Sequence, residues 1–194
     1  MRAFIALELD DALRVRLGEE LARLRRVAPN ARWVRSESLH VTLAFLGEMA
    51  DADVPALGGA LAKVASRHGP FTLCARGPGT FGPFDRPKVL WTGLGGDVAA
   101  LGALQSDVAC ELAALGYRPD FEKFEPHVTL ARAKHPRGDP SLARCVAALG
   151  DAGFPEQAVD EVVLFSSETD RDGMRYRAMG RWRLGAAPAT DNIK

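Results

Sequence analysis

The chain has 194 residues, 47% of them hydrophobic, and its 25 basic residues balance its 25 acidic ones. That composition supports a globular core of ordinary size, and without net charge no global field draws the protein to nucleic acid or membrane, so an electrostatic partner must be met by a local patch. No apolar run approaches membrane-spanning length, and the run in MRAFIALELDD is interrupted at Glu8 too soon for a signal peptide.

Cys74, Cys110 and Cys145 are odd in number and far apart. They lack the paired short spacing of a zinc or redox site, so they read as buried or reduced thiols of a cytoplasmic protein. Along the chain, Phe4 to Leu9 alternate as a strand. Asp10 or Asp11 then caps a helix carrying Leu13, Leu17, Leu21, Leu24 and Val27 at helical spacing, and Pro29 and Asn30 end it. A short strand at Arg32 to Val34 precedes the strand HVTLAFL, and a second helix near 53–67 stops at Gly69 and Pro70. Phe71 to Ala75 and Val89 to Leu94 read as strands. A helix over 97–115 follows, with Leu101, Leu104, Val108, Leu112 and Leu115 on one face and Gly116 behind it. After a second HVTLA strand come a short helix from Ser141 to Leu149, a strand from Val159 to Ser166, and a strand from Met174 to Leu184 turned back about 170–173. The tail 186–194 is expected to be disordered.

HVTLA stands at 40–44 and again at 127–131, in a chain with only four histidines. One H-x-T would be read as the wet side of a half-buried strand. Two copies, each placed after a helix and before another, point to an internal duplication. The expected fold is α+β: a single bilobal domain over 1–185, two pseudo-symmetric lobes with mostly antiparallel sheets flanked by helices, and a pseudo-twofold axis bringing the repeated strands face to face across a cleft. On each strand His40 and Thr42, or His127 and Thr129, share one side, while Val41, Leu43 and Phe45, or Val128 and Leu130, take the other.

Two imidazoles across a cleft suit phosphodiester cleavage. With an ordinary pKa near ~6.5, one histidine can accept a proton from attacking water while the other donates one to the departing alkoxide. Each threonine hydroxyl can hydrogen-bond a phosphoryl oxygen as charge builds on it. The scheme asks for no metal and no cofactor.

The strings SLHVTLAFLGE and EPHVTLARAK, with MRAFIALELDD, RWV, KVLWTGL, VDEVVLFSSE and the late RY, make the chain similar to the two-histidine phosphoesterase superfamily. Within it the resemblance is to the bacterial and archaeal RNA 2′,3′-cyclic phosphodiesterases, also described as 2′-5′ RNA ligases. It covers nearly the whole chain. It implies a protein that opens a 2′,3′-cyclic phosphate on RNA or a nucleotide to a 2′-phosphate; a monomer is expected, although the sequence does not fix the oligomeric state. His40 would be the proton donor, His127 the proton acceptor, and Arg132 a phosphate-binding residue.

Strict alternation sets Arg132 on the face opposite His127, so that role requires the strand to end or bulge first. Alternation also turns Phe45 toward the core. Lys134, His135 and Arg137 continue a basic run, and Arg32 and Arg35 flank Trp33; such clusters can hold an RNA backbone, with Trp33 or Phe45 available for stacking. His68 and His135 are expected at the surface.

Three rivals remain. A metal hydrolase lacks supporting carboxylates and any HxxxH or HxH spacing. A non-catalytic RNA- or nucleotide-binding module has no use for an acid–base pair. Ligation of 2′-5′ RNA, or hydrolysis of another cyclic nucleotide, would use the same residues.

Overall fold

The computed structural model describes residues 1–118, 124–150, 152–170 and 173–186. In chain order the elements are β1 (Arg2–Glu8), α1 (Asp11–Leu24), β2 (Arg32–Trp33), β3 (His40–Glu48), α2 (Val54–Ala65), β4 (Phe71–Phe81), β5 (Val89–Gly96), α3 (Val98–Ala114), β6 (His127–Arg132), α4 (Pro140–Leu149), β7 (Glu156–Val159), β8 (Glu161–Asp170) and β9 (Gly173–Arg183). The expected tail lies almost entirely outside the described residues.

The α+β architecture stands, and the strands of both halves run on into one sheet. Its order is β7-β4-β5-β6-β3-β1-β8-β9, with β2 beside β6, and the pairings described are antiparallel. The repeated strands β3 and β6 are central neighbours. They meet edge to edge rather than face to face, with Val41 opposite Val128. Because these valines hold the same place in the two copies of HVTLA, the pseudo-twofold axis passes through this pair, and β5, β4 and β7 on one side correspond to β1, β8 and β9 on the other.

One sheet face is covered by helices. Ile5, Leu7, Val41, Leu43, Val128 and Leu130 point into it and meet Leu13, Leu17, Leu21, Leu57, Leu61, Leu101, Leu104 and Val108, all essentially buried. Each such side chain contributes roughly 1.5–3 kcal/mol by leaving water. α1 starts as the sequence indicates, Asp10 accepting a hydrogen bond from the Leu13 amide at 2.8 Å. The opposite face carries a small aromatic cluster of Phe4, Phe165 and Tyr176 with Ala6 and Val163.

Two elements depart from the sequence reading. The strand expected over 159–166 is two strands: β7 pairs with β4 at one end of the sheet, and β8 pairs with β1 near the other. β7 ends at Val159 and β8 begins at Glu161, so the chain leaves one edge region of the sheet for the other at Asp160. β4 also continues beyond Ala75 to Phe81. Its register shifts between Ala75 and Pro78, so the Gly-Pro-Gly segment that looks like a loop in the sequence lies in the strand.

Candidate active site

His40 opens β3 and His127 opens β6, both on the face away from the helices. From the Val41–Val128 pair, antiparallel pairing sets His40 opposite Thr129 and Thr42 opposite His127. Opposite residues on one face lie about 4.5–5.5 Å apart at Cβ, and diagonal ones about 7–8 Å. Extended from that one pair, the register lays the four side chains out as a crossed square, with each histidine across from the other strand's threonine and the imidazoles on a diagonal.

Both rings are fixed in the same way. Nδ1 of His40 lies 2.8 Å from the carbonyl of Ser38, and Nδ1 of His127 lies 2.7 Å from that of Glu125. A carbonyl only accepts, so each Nδ1 carries the proton and each Nε2 is left to accept or donate elsewhere. Aromatic rings hold the other edges. His40 packs 4.8 Å from Phe4 and meets Tyr176 edge-on at 5.2 Å, while His127 meets Phe81 edge-on at 5.0 Å and lies 5.8 Å from Trp91. Trp91 reaches across β4 where Gly79 stands; a Cβ at that position would lie 2.1 Å from the ring.

Burial holds both imidazoles below the ordinary histidine range, against the opposing pull of the carbonyl bonds, and the Arg132 guanidinium lowers both further. The free protein thus presents two neutral bases beside a fixed cation. Arg132 reaches this face because β6 bulges: Leu90 pairs with Ala131 but Trp91 with Thr129, leaving Leu130 extra. Leu130 and Ala131 are consecutively buried, and the next side chain emerges on the histidine side. β3 does the same, with Leu43 extra and Leu43 and Ala44 both buried. Phe45 therefore does not face the core, as strict alternation required. It is 51% exposed, its ring 6.1 Å from that of Phe4.

A cleft of about 430 Å³ adjoins His40, walled by Glu8, Arg35, Ser38, Phe165 and Tyr176. It lies on the His40 side of the pair. Trp33 is not part of the site. Its Nε1 donates to the Ala28 carbonyl at 2.9 Å and its ring packs on the core. His135 is exposed as expected, whereas His68 is only partly so: its side chain is 15% exposed and its Nε2 lies 2.9 Å from an Asp107 carboxylate oxygen. Phe4, Phe81, Trp91 and Tyr176 were not singled out from sequence. Trp91 and Tyr176 do fall within KVLWTGL and the late RY, where a search for partners of the histidines would have found them.

The chain is similar to known proteins over nearly its whole length. An RNA 2′,3′-cyclic phosphodiesterase of Aeropyrum pernix is 34% identical over 163 residues, covering 82% of this chain and 92% of that one. A crystal structure from Thermus thermophilus superposes with a TM-score of 0.78 at 25% identity, over 95% of this chain and 98% of the other. Escherichia coli LigT complexed with 3′-AMP gives 0.69 at 28% identity, over 95% and 98%. With residues 11–171 also matched by the family model for the 2'-5' RNA ligase superfamily, and with both halves of the repeat inside that span, the chain belongs to the 2'-5' RNA ligase superfamily.

Proposed function

We propose that this protein is an RNA 2′,3′-cyclic phosphodiesterase working by histidine acid–base catalysis. The observation that carries the reading is the matched pair of imidazoles on adjacent strands, each with Nδ1 held by a carbonyl and Nε2 without a hydrogen-bond partner among the described residues, beside two threonines and Arg132. The names of the relatives support the substrate class, and the complex of E. coli LigT with 3′-AMP supports a nucleotide in this cleft.

The cyclic phosphate docks between the histidines, its charge met by Arg132 and its non-bridging oxygens by the hydroxyls of Thr42 and Thr129. Its negative charge offsets the guanidinium and raises the histidine pKa values, so one imidazole takes up a proton. Nε2 of His127 removes a proton from water as the oxygen attacks phosphorus. The P–O3′ bond breaks, and Nε2–H of His40 protonates O3′, leaving a 2′-phosphate. The cleft beside His40 gives the terminal nucleoside room on the leaving-group side. One chain supplies every group, so a monomer suffices, and the free thiols of Cys74, Cys110 and Cys145 suit the cytoplasm.

RNA ending in a 2′,3′-cyclic phosphate, incubated with the protein in the presence of a chelator, tests this. A 2′-phosphate product supports the reading. A 3′-phosphate reverses the regiochemistry, loss of activity on chelation points to a metal, and binding without turnover points to a non-catalytic module.

A further inference from the structure

Beyond the reacting phosphate, we propose that the protein holds the single-stranded RNA leading to it on a basic platform built from the loops 82–88 and 133–139, with Phe84 as a stacking surface for a base. This rests on the reading above and extends it to the strand upstream of the cyclic end.

The two loops are built against one another. The Ala133 amide donates to the Lys88 carbonyl at 2.8 Å and the Asp139 amide to that of Pro87 at 2.9 Å. At Gly138, with φ of +88°, a Cβ would lie 1.9 Å from the Arg86 carbonyl oxygen, so only glycine permits this approach. Arg132 pairs with Val89 on one side and Arg32 on the other, which places the platform at the same end of the sheet as the site's own cation.

Arg32, Arg86, Lys88, Arg132, Lys134 and Arg137 are all exposed there. Among the described residues none of them is in an ion pair. Elsewhere arginines are matched: Arg16 and Arg23 with Glu20, Arg67 with Glu111, and Arg181 with Glu8 and Glu161. Against the platform's cations the two loops hold two acids, Asp85 and Asp139, the latter turned to α4, where it accepts from the Ser141 amide. Unmatched cations at this density draw a polyanion. Phe84, in the same loop as Arg86 and Lys88, is 92% exposed, against 37% for Phe81 beside His127. An exposed ring among cations is what a flexible strand needs, because every base has a face to stack and every phosphate a charge to meet.

Binding of a dye-labelled single-stranded RNA of about a dozen nucleotides with a plain 3′-hydroxyl, read by fluorescence anisotropy, tests the platform without requiring turnover. Phe84→Ala should weaken it about tenfold, the lower part of the range for losing one stacked base. The double variant Arg86→Glu, Lys134→Glu should weaken it at least as much and flatten the dependence of log affinity on log salt by about 0.7 for each phosphate that is no longer neutralised. Arg25→Glu with Arg26→Glu, the same charge change at the end of α1, should leave binding unaltered. In all three variants kcat on a 2′,3′-cyclic mononucleotide should stay at the wild-type value. Equal weakening by the Arg25/Arg26 variant, or unchanged binding in the platform variants, overturns the proposal. RNA binding that behaves as described in a protein that opens no cyclic phosphate would instead overturn the proposed activity and leave the platform standing.

Discussion

Phe45 and Arg132 occupy the same place in the two halves, each the first exposed residue after a bulge that turns it onto the histidine face. At that position the pseudo-twofold symmetry of the site breaks, with an aromatic ring on one side and a permanent cation on the other. Arg132→Gln should raise KM for a cyclic phosphate roughly 10- to 100-fold, as loss of a charge-assisted hydrogen bond does. Both histidines are lowered first by burial and then by this guanidinium. Its removal should therefore move both limbs of the pH–rate profile to higher pH. Phe45→Leu, which changes no charge, should leave the limbs in place. A profile unmoved by Arg132→Gln would separate Arg132 from the site.

If the imidazoles act as acid and base, activity against pH should be bell-shaped, with limits that belong to the coupled pair. His40→Ala and His127→Ala should each lower the rate by roughly 10² to 10⁴. Either variant turning over at near wild-type speed would remove that histidine from the chemistry.

The α+β class was legible from the sequence, and the repeated HVTLA marked out the two strands that prove to be neighbours, because the scarce residue types recur in matching context. The bulges were not legible as such, since Leu43-Ala44 and Leu130-Ala131 are apolar pairs that fit a strand edge as readily as a slip in alternation. The sequence did indicate that Arg132 needs such a slip, whereas the same logic applied to Phe45 misplaced it. The crossing of the square was also out of reach. Alternation gives the face of each side chain, but the neighbour across the strand boundary depends on the Val41–Val128 register. The aromatic supports come from β1, β4, β5 and β9, four separate stretches that no local spacing connects.

Folding should be sensitive to acid through the same histidines. In the unfolded chain they protonate near ~6.5. In the fold, burial lowers both. Below the unfolded value the unfolded state thus binds more protons, and stability falls as pH drops toward and through the folded values. Urea midpoints of the wild type should decline from pH 7.5 to pH 5. His40→Gln, with no proton to take up at that position, should flatten the decline. An unchanged slope in this variant would show that the acid sensitivity arises elsewhere.

The crossed square makes the threonines the most discriminating test of the site. Thr42→Val and Thr129→Val keep the β-branched shape and remove only a hydroxyl, so stability should hold while catalysis falls. If the hydroxyl contact strengthens as charge builds on the phosphoryl oxygens, the loss should appear in kcat more than in KM. A preorganised donor of this kind is worth on the order of 2 to 4 kcal/mol, with the lower end expected where water can enter and replace it. The crossing adds a second requirement. Thr129 stands opposite His40 and Thr42 opposite His127, so Thr129→Val should couple more strongly to His40→Ala than to His127→Ala in double-mutant cycles under single-turnover conditions. For residues sharing one network that coupling is about 0.5–3 kcal/mol. Coupling that instead follows the strand, Thr129 with His127 and Thr42 with His40, would mean that each H-x-T acts as a separate unit and that the register between β3 and β6 serves only the fold.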